Sequence, residues 1–185
     1  MHAFTHALIG WGVANLAPSL GRRERAIIVI GSIIPDLDAA SILGGPEAFA
    51  HWHRTLCHNV LFAAVTTALA AAFARERRGT VAALFALNFH LHLLCDFLGS
   101  AAPDGTSWGI PYLLPFDRWR LDNPHQWALN AWPNFAITFA FFALAVWIAR
   151  RWQRTPLEPI SLRADAAVLE VLRRRLKFDA PPRRE

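Results

Sequence analysis

Long apolar runs alternate with short polar segments along this chain. Three of the runs approach the ~20 residues that a helix needs to cross a bilayer: Leu56 to Ala74, Val81 to Leu98 and Ala131 to Ala149. Two shorter runs, Phe4 to Leu16 and Ala26 to Ile34, precede them. The pattern predicts an all-α, up-and-down helical bundle embedded in the membrane, with about five helices. The two short runs are expected to pack together as its opening hairpin.

Composition agrees with a packed, apolar-rich protein. The 185 residues are 54% hydrophobic and 18% charged, which excludes a disordered or low-complexity chain. Two cysteines exclude a disulfide-scaffolded mini-protein and a zinc module built on four thiolates. A mean hydropathy of +0.25 is modest for a multi-pass protein, so a soluble all-α domain with buried core helices remains the alternative.

The chain divides into an apolar body and a basic tail. We predict a membrane-embedded domain over residues 1–155 and a cytoplasmic tail over 156–185. Within the tail, Leu162 to Phe178 has the pattern of a basic amphipathic helix suited to anionic lipid. The segment from Gly99 to Asn130 is rich in Gly, Pro and Trp and lacks helical periodicity. It is predicted to form a lid at the outer interface, where aromatic residues are favoured.

Basic clusters follow every odd-numbered apolar run, so an up-and-down bundle places them all at one end. Short cytoplasmic loops accumulate Lys and Arg, which makes that end cytoplasmic and predicts a multi-pass protein of a bacterial-type inner membrane. No positively charged region precedes the first apolar run, so a cleaved signal peptide is not expected. The clusters are Arg22, Arg23 and Arg25; Arg75, Arg77 and Arg78; and Arg150, Arg151 and Arg154.

The opposite end collects imidazole and carboxylate groups. All eight histidines lie at or near it, together with seven of the nine acidic residues that precede the tail. This pattern is typical of a metal site. The formal charge of +5 resides in the tail and the basic clusters, so nucleic acid is not an expected partner.

The segment from Asn88 to Asp96 is the most informative one. Asn88, His92 and Asp96 recur every four residues and therefore share one helical face, among Leu and Phe neighbours. An unpaired His and Asp on an apolar helix would cost several kcal/mol. We therefore predict a functional site here, with His90 pointing elsewhere.

Three further segments offer ligands. Asp36 and Asp38 follow Pro35 at the end of an apolar run, as a cation site or as a solvated capping turn. His53 is expected in an approach loop and His58 in the first turn of the next helix. Arg54, between them, would hold a phosphate bidentately or pack against acidic loops. His6, after Thr5, faces inward as a ligand or as a buried histidine.

The thiols of Cys57 and Cys95 adjoin the site. They are expected to be buried and inert, with ligation or a disulfide as alternatives.

These motifs in this order resemble the YdjM-like family of predicted membrane-bound, metal-dependent hydrolases, also described as LexA-binding and inner membrane-associated. The resemblance covers roughly Met1 to Phe116. The family is distantly similar to zinc-dependent phospholipases C and single-strand nucleases. The resemblance implies a metal-ligand set of His6, Asp36, Asp38, His53, His58, His92 and Asp96. A His-x-x-x-Glu element like that of the phospholipases is missing here, which favours one or two ions.

The leading hypothesis is a hydrolase that cleaves a phosphoester in a lipid or lipid-linked substrate of the bilayer. Zinc, or alternatively manganese, would activate water. Asp36 or Asp38 would bridge ions or act as the base, and Arg54 would neutralise the phosphate. The rivals are a haem-binding bundle with ligands such as His58 and His92, a di-iron oxygenase, and a non-enzymatic metal-binding protein. The sequence lacks the His-His doublets that are usual in di-iron oxygenases, which argues against that hypothesis.

Overall fold

The computed structural model describes residues 1–102 and 104–177, which form seven α-helices and one 3₁₀ helix. The all-α prediction is confirmed. In chain order the elements are α1 (Ala3–Ala14), α2 (Arg22–Ile30), the 3₁₀ helix (Ile34–Gly44), α3 (Pro46–Trp52), α4 (Val60–Phe73), α5 (Arg78–Gly99), α6 (Trp132–Trp152) and α7 (Leu162–Leu176).

The centre of the bundle is α5, which packs against α1, α2 and α4. α1 and α2 also pack on each other, as the opening hairpin was predicted to do. The amide of Asn88 holds all three helices together, since its Nδ2 donates to the carbonyls of Gly10 and Ile28 at 3.3 and 2.8 Å. A Cβ on Gly31 would lie 2.7 Å from the Phe85 carbonyl, so glycine permits the close approach of α2 to α5.

Within residues 1–102 and 104–177, two helices, α5 and α6, are long and apolar enough to cross a bilayer. α2 and the 3₁₀ helix would form a third span if they act together, with a bend of 52° between them. The predicted span from Leu56 to Ala74 was wrong in its length. α4 has only 14 residues, because Asn59 accepts a hydrogen bond from Phe62 N and caps the helix there. His58 consequently precedes the helix and does not lie in its first turn.

Apolar side chains cover the outside of the helices. On α4, exposed residues recur every four positions at Leu61, Val65, Leu69 and Phe73. On α6 the exposed phenylalanines are Phe135, Phe139 and Phe142. Soluble monomers rarely expose continuous apolar faces of this extent. The helix surfaces are therefore suited to contact with lipid.

The three basic clusters lie at one end of the bundle, as predicted. Arg23 donates to the carbonyl of Phe73, two residues before the second cluster, and Arg154 donates to Pro18 O, four residues before the first. Arg25 forms a buried ion pair with Glu158. These contacts tie the start of α2, the α4–α5 connection and the end of α6 together.

The tail packs against the body through α7. Leu169 is buried, and Asp165 accepts a hydrogen bond from the backbone N of Thr155 at 2.6 Å. Arg173 donates to the side chain of Gln153. The predicted amphipathic helix is present as α7; its last predicted residue, Phe178, lies outside the described residues, as does the rest of 178–185.

The predicted lid is an irregular segment between α5 and α6, fixed to both by Asn134. This buried side chain donates to the carbonyls of Gly99, Ala128 and Leu129 and accepts from the indole N–H of Trp127. Its amide group therefore fixes both ends of the segment to the start of α6. The segment in turn forms one wall of the cavity described below.

Candidate metal centre

Four side chains from separate parts of the chain converge at the end of the bundle opposite the basic clusters. Asp36 comes from the 3₁₀ helix, His58 from the loop before α4, and His92 and Asp96 from α5. One ligand atom of each lies within 4.8 Å of those of all the others. At 1.5 Å per residue, His92 and Asp96 lie about 5 to 10 Å from the end of α5. We call these four residues the His/Asp cluster.

The spacing of the cluster suits one ion. His92 Nε2 lies 3.4 Å from Asp36 Oδ1 and 3.5 Å from Asp96 Oδ2. His58 Nε2 lies 3.5 Å from Asp96 Oδ2 and 4.0 Å from Asp36 Oδ1. Bonds of 2.0–2.2 Å in a tetrahedral zinc site place ligand atoms about 3.3 to 3.6 Å apart. Three of these four nitrogen–oxygen distances therefore match a tetrahedral ion, and the fourth exceeds the range by a few tenths of an ångström.

Both cluster histidines direct the same nitrogen inward. His92 Nδ1 donates to the carbonyl of Ser32 at 2.8 Å, and His58 Nδ1 donates to Asp38 Oδ2 at 3.0 Å. With Nδ1 protonated, the neutral imidazole carries its lone pair on Nε2. Both Nε2 atoms are buried and have no hydrogen-bond partner among the described residues. Metal-ligating histidines typically show this arrangement, so the donor set fits a divalent ion.

Asp38 lies behind the cluster and orients it. Its carboxylate accepts from His53 Nδ1 at 2.8 Å, His58 Nδ1 at 3.0 Å and the backbone N of Cys57 at 3.1 Å. Asp36 and Asp38 are two positions apart on a 3₁₀ helix, about 240° around its axis, so they face different partners. Asp38 therefore contacts the cluster through His58 and is not one of the four converging side chains. His53 lies next to the cluster through its hydrogen bond to Asp38.

His6 lies against the cluster from α1. Its ring stacks on His92 with centroids 3.8 Å apart, and its Nε2 is 3.2 Å from Asp96 Oδ1. The other oxygen of Asp96 is the one that faces His58 and His92. The amino group of Met1 also donates hydrogen bonds to Asp96 Oδ1 and to the hydroxyl of Ser100. His6 therefore adjoins Asp96 on the side away from His58.

Arg54 is a fully buried cation beside the cluster. Its Nη1 and Nη2 donate to the carbonyls of Trp108 and Ser100 at 2.8 and 2.9 Å, and its Nε lies 3.7 Å from Asp96 Oδ2. The guanidinium lies over the Trp108 ring, and the backbone adopts a left-handed φ of 65°. Burial lowers the pKa of Arg54, and the charge of Asp96 opposes that shift. An arginine with so high a reference pKa keeps its charge.

A cavity of about 790 Å³ opens next to the cluster, a volume suited to a small ligand or headgroup. Asp36, Asp96, His53 and Arg54 line it together with mostly apolar side chains. The side chain of Asp36 is 26% exposed, whereas those of His58, His92 and Asp96 are 4% exposed or less. Both Asp36 and Asp96 line the cavity, and Asp36 is the more exposed of the two.

The charges at the site favour a cation. With neutral imidazoles, the carboxylates of Asp36, Asp38 and Asp96, the guanidinium of Arg54 and the amino group of Met1 that contacts Asp96 sum to −1. Both cysteines are free. Burial and the nearby charge of Asp38 raise the pKa of the Cys57 thiol to about 11, so Cys57 is not a thiolate at neutral pH. His90 lies outside the cluster and donates to or accepts from Tyr112.

Some contributors were missed by the sequence prediction. The carbonyl of Ser32 and the ring of Trp108 orient His92 and Arg54, and Asn134 fixes the lid. The role of a backbone carbonyl such as that of Ser32 cannot be predicted from the sequence. Asn134 could have been identified from the sequence, because it is a polar residue in the apolar run of α6.

The model of the YdjM inner membrane protein family matches residues 1–168. The chain belongs to this family. The match extends well beyond Phe116, where the resemblance had been expected to end, and includes all of α6 and the first part of α7. Neither a curated protein nor a solved structure matches the chain. Family membership and the apolar helices make it an inner membrane protein.

Proposed function

We propose that this protein is a metal-dependent hydrolase that cleaves a phosphoester in a lipid or lipid-linked substrate. The observation that carries the proposal is the pair of buried, unpartnered Nε2 atoms of His58 and His92, which face two carboxylates beside an open cavity. Zinc fits the spacing best, and manganese is the alternative for the same nitrogen and oxygen donors.

The four converging side chains have different exposures, which suggests different roles. His58, His92 and Asp96 are buried and would hold the ion. Asp36 faces the cavity and is placed to act as general base. Asp38 orients His58, and through its other oxygen it also holds His53. This assignment chooses Asp36 over Asp38 as the base, because both oxygens of Asp38 already accept hydrogen bonds.

A divalent ion held by the cluster would polarise a phosphoryl oxygen and make water nucleophilic near neutral pH. The water oxygen forms the new bond to phosphorus, and the bond from phosphorus to the leaving alcohol breaks. Asp36 takes the proton of the attacking water, and the leaving alkoxide takes a proton from solvent. Arg54 balances negative charge at the cavity wall, with its guanidinium fixed by two backbone carbonyls.

A non-enzymatic metal-binding protein is the second candidate, since four protein ligands around a tetrahedral ion are typical of closed structural sites. A haem between His58 and His92 is disfavoured. The carboxylate oxygens of Asp36 and Asp96, 3.4 to 4.0 Å from the two Nε2 atoms, occupy the space that the porphyrin would need.

The test compares hydrolysis by metal-loaded wild type, Asp36→Asn and the exposed-loop control Asp104→Asn on a phosphoester panel that includes bis(p-nitrophenyl) phosphate. Loss of a general base lowers the rate by about 10²–10⁴-fold. We expect Asp36→Asn to retain the ion and lose activity in that range, and Asp104→Asn to match wild type. Metal-loaded wild type that hydrolyses no phosphoester, or an Asp36→Asn variant with full activity, would contradict the proposal.

The proposed orientation places the cluster toward the outer face and the basic clusters in the cytoplasm, as the distribution of arginines favours. A fluorescent protein fused after Glu185 should then be fluorescent in cells, and alkaline phosphatase fused there should be inactive. The reverse result would invert the orientation.

A further inference from the structure

An apolar groove runs along the outside of the bundle between α1, α6 and α7. It has a volume of about 200 Å³, and Phe4 and Leu8 of α1, Phe142 and Val146 of α6, and Val168 and Leu172 of α7 contribute to its walls. Each pair is spaced by four residues, so each helix contributes one continuous stripe. Among the residues that the structure describes, none of those that line the groove is charged.

The groove lies on the lipid-facing side of a membrane span. Phe4 and Phe142 are exposed at its edge, and α6 is one of the two helices long enough to cross the bilayer. Between Phe142 and Ala149, its lining residues on α6 extend over about 10 Å. On the α6 side the groove therefore faces acyl chains, and Val168 and Leu172 on its other wall belong to α7 of the tail.

The upper end of the groove adjoins the cavity of the metal centre. Ala3 lines the cavity and Phe4 lines the groove, and consecutive Cα atoms are about 3.8 Å apart. His2 also lines the cavity, and its ring contacts Phe135 of the lipid-facing side of α6 with centroids 5.6 Å apart. The start of α1 therefore lies between a mostly apolar cavity that has two carboxylates in its wall and an apolar groove.

We propose that this groove binds one acyl chain of the substrate lipid while its phosphoester headgroup occupies the cavity. This inference rests on the proposed function for the identity of the headgroup. The lipid would enter laterally, past Phe4 and Phe135. The 790 Å³ cavity holds the polar part, and the smaller groove holds a segment of one chain and not a whole lipid.

Two substrates with the same scissile bond test the proposal. Both p-nitrophenyl hexadecyl phosphate and bis(p-nitrophenyl) phosphate release p-nitrophenolate, but only the first has a long chain. Val146→Trp fills the groove from α6, and Leu172→Trp fills it from the opposite wall. Ala143→Trp is the matched control, because Ala143 is exposed on α6 and does not line the groove.

We expect Val146→Trp and Leu172→Trp each to lower kcat/KM for the hexadecyl substrate by about tenfold or more. The kcat/KM for bis(p-nitrophenyl) phosphate should stay unchanged in both variants. Ala143→Trp should leave both values unchanged. An equal loss for both substrates in both groove variants, or an unchanged hexadecyl value, would overturn the proposal.

A binding measurement separates this proposal from the proposed function. The full chain is reconstituted in phosphatidylethanolamine–phosphatidylglycerol vesicles doped with a phosphatidylethanolamine that carries a diazirine in one acyl chain. Photolabelling of the peptides that contain Leu8 and Val168 should fall in Val146→Trp and persist in Ala143→Trp. If wild type hydrolyses neither substrate but labelling follows this pattern, acyl-chain binding in the groove is supported and the catalytic proposal fails. If Val146→Trp does not change the labelling, the proposal that the groove binds an acyl chain is refuted.

Discussion

Replacing Asp38 by Asn tests whether this carboxylate positions the metal ligands without binding the ion itself. The carboxylate accepts three hydrogen bonds, from His53, His58 and the backbone of Cys57. An asparagine of the same size offers one acceptor oxygen and an NH₂ group. At least one N–H donor would then face another donor in a buried site.

The expected loss follows from the role of His58. Without an acceptor at Nδ1, its imidazole can carry the proton on Nε2 instead, and that tautomer has no Nε2 lone pair to offer an ion in the cluster. Loss of such a supporting contact typically lowers metal affinity about 10- to 100-fold, or about 1.4 to 2.8 kcal/mol. Removing a ligand itself, as in His58→Ala, should have a larger effect.

The assay is a competition titration of zinc between the purified protein and a chromophoric chelator in detergent. Asp104→Asn is the control, since Asp104 lies in an exposed loop and accepts only from Thr106 among the described residues. Size-exclusion profiles establish that the variants are folded. An affinity equal to wild type would refute the positioning role. A loss as complete as that of His58→Ala would identify Asp38 as a ligand, as the family resemblance implied.

Two further predictions concern the contacts that hold the bundle together. Asn134→Leu removes the partner of three carbonyls and one indole N–H, and buried polar groups left unpaired cost about 1–3 kcal/mol each. The apparent Tm in detergent should fall by several degrees, and an unchanged Tm would show that the lid is not fixed by this residue. At the other end, Arg25→Met or Glu158→Leu alone leaves one buried charge and should destabilise the protein by about 3–5 kcal/mol. The double variant should be more stable than either single one, whereas additive losses in denaturant titrations would contradict a coupled pair.

The helical pattern of α5 was enough to predict part of the site. Spacing by four residues placed Asn88, His92 and Asp96 on one face, and all three are buried there. Their partners decide their roles, however. His92 and Asp96 meet Asp36 and His58, whereas Asn88 binds the backbones of α1 and α2. Periodicity within one helix cannot reveal which neighbour each residue meets.

The loop ligands were harder to place. The sequence identified Asp36 and Asp38 as a pair, but the 3₁₀ helix that contains Pro35 turns them toward different partners. Similarly, α3 and the cap at Asn59 were not anticipated, so His58 was placed in a helix that begins two residues later. Short helices and caps depend on tertiary contacts as much as on local sequence, which is why their boundaries were missed.

Metal content of the purified wild-type protein, measured by elemental mass spectrometry, tests the central claim most directly. The account predicts one divalent ion per chain, lost in His58→Ala and in Asp96→Asn but retained in Asp104→Asn. Wild-type protein that binds no stoichiometric divalent metal after loading with zinc or manganese, or His58→Ala protein that keeps its ion, would contradict the existence of the metal centre.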